Sequence, residues 1–549
     1  MGAPHIPDHD AMTGFFKALR CASVAMVFAL VAACSPGSDS PSTGGDDALP
    51  ANAFTILAGS ELKDVDAQLG EDIRKATGID VRFSYAGTLD AIDRLNAGES
   101  FDAVWVSHGK YLAMNPELKS RIAVQEKIML SPVILGVKRS KAEALGWDRN
   151  DPTWKDIADA ASAGTFTFGM TNPTASNTGF TALVGIAAAL ASNPDALTEA
   201  DVSNPALKAF FQGQRMTAGS SGWLADAYAA DPSKVDGIIN YESVILSLNA
   251  NGKLGEPLVP VYPKEGIITA DYPLMLLNSG KRAEYHRLVA YLRSTAFQTR
   301  LSAATLRRPV NAESSAAPAI PKRTLIELPF PGQPQVINGL LDAFLADVRV
   351  PSTSRYVLDL SGSMNEEGRI DQLKKAMDAL AGGDPGSLSS RYARFQNRER
   401  IGLIPFNNEP MQTLSFDMGT TSVENDATLA SIKAAVASMQ PDGGTAIYDS
   451  VQRAMSELAE EKRMDKAPRY YTIVLMTDGE NTQGMDLREL LRWRETQSDA
   501  VKSIRVFPIV FGNADADEMK SLAEATGGKA FNAKAGSLAM VFKDIRGYQ

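Results

Sequence analysis

Cysteine is almost missing from this chain: 549 residues hold two, Cys21 and Cys34. Beyond residue 34 the chain can form no disulfide, ligate no metal through sulfur and attack through no thiolate. Histidine is nearly as scarce, with His5, His9, His108 and His286. Two of the four precede the N-terminal apolar stretch, which leaves too few for a His-rich zinc site. His108 follows an apolar strand pattern, but a Ser-His-Asp set built on it lacks an identifiable nucleophile. His286 lies in an amphipathic pattern, Ala283 to Leu292, and reads as a surface residue. No Gly-rich phosphate loop of the Walker type is present. Basic charge is not in excess: the formal net charge is −10, which argues against nucleic acid as a partner. After the N-terminus no run of 18 or more apolar residues occurs, so no spanning helix is expected there. These absences leave no basis for expecting an enzyme.

What is present begins with a targeting segment. Lys17 and Arg20 precede an apolar stretch from Cys21 to Ala33, too short to span a bilayer and suited to a secretory signal. Residues 1–11 hold two acids and no Lys or Arg, so translation starts at Met1 or, by charge, at Met12. The stretch ends Val31-Ala32-Ala33-Cys34, which resembles a bacterial lipobox. The resemblance implies that residues 1–33 are removed and that Cys34 is acylated, anchoring the protein to a membrane of the cell envelope on its extracytoplasmic side, periplasmic or outer. Residues 34–53 are Ser, Gly, Pro and Asp with almost nothing apolar, a flexible tether. A coil of that length spans on the order of 25 Å.

From Phe54, short apolar strands alternate with helical patterns. Phe54-Thr55-Ile56-Leu57 is a strand; Leu62 to Thr77 is amphipathic and stops at Gly78. Val81–Tyr85 and Ala103–Val106 are further strands, with a helix from Ala91 to Ala97 between them. This βαβαβ order predicts an α/β fold with a largely parallel sheet. Ala58-Gly59-Ser60, Thr77-Gly78-Ile79-Asp80-Val81, Tyr85-Ala86-Gly87-Thr88, Phe101-Asp102-Ala103-Val104, Asn172 to Gly179 and Asn240-Tyr241-Glu242 resemble the bacterial extracellular solute-binding proteins, near the molybdate-binding type. That resemblance implies a two-lobed, periplasmic-binding-protein-like domain over residues 54–312. Lobe one is expected at 54–132 and 241–312, and lobe two at 133–240, with crossings near Leu130–Val133 and Asn240. A small ligand of unknown identity would lie in the cleft. Loop residues at strand ends are the candidates to touch it: Ser60, Thr88, Ser107, Ser176, Asn177, Thr178 and Tyr241. Tyr85, Trp105, Trp223, Tyr241 and Tyr262 offer an alternative aromatic cage, against the plainer reading of Trp105 as strand core. Residues 313–351 form a connector, Pro-rich at first and then helical from Val336 to Val348.

The most informative stretch follows. Asp359-Leu360-Ser361-Gly362-Ser363 leaves the end of an apolar strand with an acid and two hydroxyls spaced two apart. Three hard oxygen donors on one short loop suit Mg²⁺ or another divalent cation. Gly443-Gly444-Thr445 opens a helical pattern with a hydroxyl. Ile473-Val474-Leu475-Met476-Thr477-Asp478-Gly479 is a second buried strand ending in an acid. Together these resemble a von Willebrand factor A domain and its metal-ion-dependent adhesion site, covering residues 352–549. Ile401–Phe406, Val506–Gly512 and Ala525–Phe531 look like its second strand, its fifth strand and its closing turn. The resemblance implies a doubly wound, Rossmann-like fold in which Asp359, Ser361, Ser363, Thr445 and Asp478 hold one Mg²⁺. It also implies a protein partner offering a carboxylate to the open metal position.

The reading is therefore an envelope binding lipoprotein, one module closing on a small ligand and the other gripping a partner through Mg²⁺. Two alternatives are a solute receptor for an ABC-type permease and a non-catalytic subunit of an enzyme assembly. Two acyl chains anchor durably where one is marginal, so Cys34→Ser is expected to release the protein from membranes. Membrane and soluble fractions of cells carrying that variant check this.

Overall fold

The computed structural model describes residues 53–191, 193, 197–383, 386–533 and 538–549. The signal segment, the tether and Cys34 lie outside them. No helix among the described residues is long and apolar enough to cross a membrane.

Strands β1 (Phe54–Gly59), β2 (Val81–Ala86) and β3 (Ala103–Trp105) pair in parallel with β1 central. Parallel neighbours need crossover helices, and Lys63–Thr77 and Thr88–Asn96 supply them. The first of these stops at Gly78, where φ is +66°, a value that costs an L side chain roughly 1–2 kcal/mol and glycine nothing. β4 (Val124–Lys127) closes the edge of this sheet. β5 (Met129–Lys138) then starts a second sheet with β6 (Phe168–Thr171), β7 (Gln214–Ala218), β8 (Gly237–Tyr241), β9 (Leu258–Val261) and β10 (Thr269–Ala270). β11 (Pro273–Leu276) returns to the first sheet between β3 and β4, and β12 (Arg308–Pro309) pairs with the start of β5.

Two sheets give the two lobes, but the return crossing differs from the sequence expectation. It falls at Asp271–Tyr272, about thirty residues beyond Asn240. The helix Glu242–Ala250 and β9, assigned to lobe one from the sequence, belong to the second sheet's lobe. β9 runs antiparallel to the outer half of β5, Val261 opposite Leu135 and Leu258 opposite Lys138. The outward crossing lies at Ile128, just ahead of the expected Leu130–Val133.

The C-terminal domain is one doubly wound sheet. Its strands are β13 (Ser352–Asp359), β14 (Arg400–Phe406), β15 (Leu414–Asp417), β16 (Tyr470–Thr477), β17 (Arg505–Val510) and β18 (Phe531–Asn532), in the order β15-β14-β13-β16-β17-β18. All pairs are parallel except β14 with β15. Strand residues alternate between faces. Tyr356 and Leu358 enter one core with the helices Arg369–Asp378, Ser422–Ala437 and Leu538–Arg546. Val357 enters the opposite core with Ile447–Met464, Leu487–Glu495 and Ala516–Thr526. The strand order reverses between β13 and β16, so the ends of these two strands face one crevice.

One buried charge cluster fixes the ends of this domain. Glu399, 1% exposed, accepts from Arg546 Nη2 at 2.7 and 2.8 Å and from Arg349 Nη2. Arg546 Nη1 donates onward to Gln549 Oε1 at 2.6 Å. The two guanidiniums hold the Glu399 carboxyl below its usual range, outweighing the opposing effect of burial. Removing one member of such a cluster leaves uncompensated charge in the interior, at about 3–5 kcal/mol. Glu399→Ala is therefore expected to destabilise the protein by about that amount in denaturant melts. In the wild type this contribution is present at neutral pH and is lost as pH falls through the lowered Glu399 value.

Candidate functional site

Asp359 ends β13 and Asp478 directly follows β16, with both carboxylates fully buried. Hydrogen bonds chain four of the five motif residues together. The Ser361 backbone N–H donates to Asp359 Oδ1 at 2.7 Å. The Ser361 and Ser363 hydroxyls share a bond at 3.0 Å, and Ser363 Oγ donates to Asp478 Oδ1 at 2.8 Å. Thr445 arrives on a third loop, which is tied in by Gly362 N–H to the Gly443 carbonyl at 2.9 Å and Asp442 N–H to the Leu360 carbonyl at 2.8 Å. The Thr445 backbone is pinned in turn, its N–H donating to Thr482 Oγ1 and its carbonyl accepting from the Thr482 and Gln483 amides.

Two neighbours were not singled out from the sequence. Thr477 donates its hydroxyl to Asp359 Oδ2 at 2.6 Å. Arg369, 4% exposed, donates from Nη1 to Asp478 Oδ2 at 2.8 Å. Each acid thus has one oxygen in the hydroxyl chain or its backbone and one held from behind. A basic residue ten positions after the first acid, on the helix that follows the loop, was the available signal for Arg369. Burial pushes the Asp359 carboxyl up to about 6; hydrogen bonds from Ser361 and Thr477 oppose this, and the charge of Asp478 adds to it.

Among the described residues, no group of three or more His, Cys, Asp or Glu could hold a metal. The set here is two carboxylates and three hydroxyls, all hard oxygens, which suits Mg²⁺ with retained waters. Buried acids with little counter-charge are also what a cation would relieve. Because the raised Asp359 value exceeds the usual unfolded value of about 3.9, the folded metal-free protein binds more protons. Its stability is then expected to fall as pH rises from about 4 to about 6. A divalent ion must displace that proton. Metal affinity should accordingly rise over the same interval and level off above it, as read by Mn²⁺ calorimetry across pH. Asp359→Asn should flatten the metal-free dependence.

The other candidate cluster lies between the lobes. Thr88 donates from its backbone N–H, at 2.7 Å, and from its hydroxyl to Asn177 Oδ1. Asn177 Nδ2 donates to both oxygens of Glu61, at 3.0 and 3.2 Å. The lobes touch here: a Cβ on Gly87 would stand 2.8 Å from the Ala175 carbonyl oxygen. Behind this contact, the hydroxyls of Ser107, Thr178, Tyr241 and Tyr272 are buried without a hydrogen-bond partner. The Tyr241 and Tyr272 rings lie 6.1 Å apart, and the Ser107 carbonyl accepts from the Asp271 and Tyr272 amides. Arg307, 2% exposed, donates to Asp64 Oδ2 at 2.6 Å and to the Glu61 carbonyl at 2.8 Å, while its Nε has no partner. Burial raises the Glu61 carboxyl, with Asn177 and Arg307 acting against it.

Of the sequence candidates, Thr88, Ser107, Asn177, Thr178 and Tyr241 come together. Ser60 and Ser176 share the same two loops, but their neighbours Glu61 and Asn177 make the reach across. Glu61, Tyr272 and Arg307 were not foreseen. The aromatic cage does not assemble. Trp105 is strand core, its Nε1 donating to the Tyr272 carbonyl. Tyr85 bonds Asp66, Tyr262 bonds Glu242, and Trp223 faces Tyr548.

The C-terminal domain rests on both lobes, on the elements that carry Thr88 and Asn177. Ser389 donates from its N–H, at 2.7 Å, and from its hydroxyl to Asp93 Oδ2, on the helix that Thr88 begins. On the other lobe, Asn172 Nδ2 donates to the Arg546 carbonyl at 3.4 Å. The Tyr548 ring meets Trp223 edge-on, centroids 4.9 Å apart, and covers Gly219, where a Cβ would stand 2.5 Å from the ring.

Residues 54–305 match the family model of the bacterial extracellular solute-binding protein, and residues 356–544 match that of the von Willebrand factor type A domain. No curated protein matches the chain. Similar solved structures include the periplasmic binding protein AfuA from Actinobacillus pleuropneumoniae, crystallised with exogenous fructose-6-phosphate. It is 14% identical, with 54% of this chain and 98% of that chain covered and a TM-score of 0.44. The ferric binding protein from Campylobacter jejuni is 14% identical over 53% of this chain and 96% of that chain, TM-score 0.42. The von Willebrand factor type A protein from Catenulispora acidiphila is 15% identical over 37% of this chain and 43% of that chain, TM-score 0.28.

Proposed function

Because the chain joins a bacterial extracellular solute-binding domain to a von Willebrand factor type A domain, we propose that it is a ligand-responsive adhesion lipoprotein of the cell envelope. Cys34 anchors it, the lobes close on a small ligand, and the C-terminal domain captures a protein partner through a divalent cation. The observation that carries this reading is the docking of the C-terminal domain on both cleft-bearing elements. Lobes that part must break contacts with Ser389 on one side or with Arg546 and Tyr548 on the other. Ligand occupancy and the placement of the adhesion domain are then coupled. A permease receptor needs lobes that part freely, so the same docking favours sensing over delivery.

Asp359, Ser361, Ser363, Thr445 and Asp478 would hold the cation, directly or through water. When bound, it supplies a Lewis-acidic position for an anionic oxygen. The charge balance selects the partner's chemistry. Asp359 and Asp478 carry two negative charges and Arg369 returns one, so a divalent ion leaves the buried set at about +1. Glu366 and Glu367 also approach Arg369, but they are largely exposed, and solvent screens them. A carboxylate is the natural complement to such a centre. The two carboxylates of the set would be taken up in holding the cation, which favours recognition over hydrolysis.

The test is a pull-down from envelope extract with Mg²⁺ or EDTA, using wild type and Asp359→Ala. Partner recovery is expected only from wild type with Mg²⁺. Equal recovery in all four samples would overturn the adhesion reading.

A further inference from the structure

We propose that the ligand of the cleft is a small zwitterion of amino-acid size, carrying an ammonium and a carboxylate. The inference rests on the reading of the cleft as a ligand site and names what it takes. Its basis is the set of polar groups left incomplete between the lobes. Ser107 comes from lobe one, Thr178 and Tyr241 from lobe two, and Tyr272 and Arg307 from the segments that join them. All five are at least nine-tenths buried. Four hydroxyls and one guanidinium N–H among them are out of hydrogen-bond distance of any partner, although Ser107 and Thr178 face Tyr241 and Tyr272 faces Arg307. Buried polar groups are hydrogen-bonded in nearly all native structures, so a cluster of five orphans at one place implies a bound group that completes them. The two tyrosine hydroxyls are the more telling, because a buried hydroxyl without a partner carries its full desolvation cost.

The charges decide the ligand's polarity. Glu61 can only accept when ionised; the Asn177 amide donates to both its oxygens, with Ser107 and the Arg307 charge nearby. Arg307 can only donate. Asp64 takes Nη1 and the Glu61 carbonyl takes Nη2, which leaves the Nε edge open. An inorganic oxyanion would satisfy Arg307 and the hydroxyls but face the Glu61 carboxylate, a like charge in an enclosed site. A simple amine would satisfy Glu61 but leave the Arg307 Nε–H and the hydroxyls without an acceptor. A molecule with both signs completes both. Its ammonium pairs with Glu61 in the place the Asn177 Nδ2 now takes. Its carboxylate receives the Arg307 Nε–H and hydroxyl hydrogens. The contact of Thr88 with Asn177 and of Gly87 with Ala175 closes the lobes directly on one another, which favours a small ligand over an extended one.

The experiment is a melting screen and calorimetry on the soluble chain from Ala51 onward. The probes are glycine, L-serine, L-glutamate and glycine betaine, set against molybdate, sulfate, glucose, fructose-6-phosphate, methylamine and acetate. At least one zwitterion is expected to raise the melting temperature while methylamine and acetate together do not. Glu61→Gln is expected to weaken that zwitterion at least about tenfold, the scale of one charge-assisted hydrogen bond. Tyr241→Phe and Ser107→Ala provide the control for misfolding. Each removes a hydroxyl that has no partner, so the unliganded melting temperature should hold or rise while the ligand-induced shift shrinks. A shift from an oxyanion or a sugar in place of the zwitterions would overturn the ligand class and leave the cleft reading standing. An unchanged affinity in Glu61→Gln would overturn it in the same way. No shift from any probe would sink the cleft reading as well.

Discussion

A single buried carboxylate, Glu399, sets the terms for the contact between the two functional halves. It sits just ahead of β14, yet it holds Arg349 at the end of the connector and Arg546 in the last helix. Two guanidiniums and one carboxylate leave a net positive charge in the interior. The Arg394 and Ala393 carbonyls and Gln549 absorb the remaining donors of Arg546. That fixes the last four residues of the chain against the body of their own sheet. Gly547 and Tyr548, held in this way, are the residues laid against Ala175, Gly219 and Trp223 of the second lobe. A loosely tethered C-terminus would offer the same side chains without a defined position, and each would lose rotamer freedom on docking. The cluster therefore makes the segment Arg546–Gln549 a rigid contact.

The two lobes are gripped differently, and the difference bears on how the halves communicate. Lobe one is held by two hydrogen bonds to one carboxylate oxygen of Asp93, with Tyr392 buried in the apolar cluster that includes Leu89, Ile92 and Tyr111. Lobe two is held by aromatic packing of Tyr548 on Trp223, backed by Phe507 and Phe531 in the C-terminal core. Packing of this kind excludes water and resists slippage, whereas a hydrogen bond exchanges readily with solvent. Opening is therefore expected to part lobe one from the assembly while lobe two and the C-terminal domain move as one body. The metal loops lie on that body, at the ends of β13 and β16.

How much of this could be read from the sequence depends on how locally each feature is encoded. The convergence of the motif loops was legible because Asp359, Ser361 and Ser363 sit within five residues of one strand end, Asp478 closes a recognisable apolar run and Thr445 opens a helical pattern. Their convergence follows from strand order alone. The parallel core of lobe one was legible for the same reason, down to the stop at Gly78. The return crossing was not. Asn240-Tyr241-Glu242 looked like a lobe boundary, but Gly237 and Gly136 let the following helix lie close on β5, and β9 then extends the same sheet. The cleft residues on strand-end loops were found by type, whereas Tyr272 and Arg307 were not. They reach the cleft from connecting segments that carry no periodic pattern. Glu61 lies one position from Ser60 on the same loop, and residue type alone does not tell which of the two reaches across.

Magnitudes show why ligand binding could govern the docking at all. The polar part of the contact to lobe one is two hydrogen bonds to a carboxylate, each worth about 1.5–3 kcal/mol at most and less with solvent near, to which the buried Tyr392 adds apolar packing. The contact to lobe two adds an aromatic pair worth about 0.5–1.5 kcal/mol beyond its buried area. A ligand at a hundredfold excess over its dissociation constant stabilises the closed form by about 2.7 kcal/mol. The two quantities are of the same order. Were the docking much stronger, the lobes would stay shut and occupancy would change nothing. Were it much weaker, the domains would move independently and the adhesion site would learn nothing of the cleft. Linkage also runs in both directions: whatever the ligand contributes to docking, a partner that favours the docked arrangement returns to ligand affinity. On the proposed function, a partner held at the motif loops would tighten the cleft, and the closed cleft would in turn steady the surface on which that partner is held.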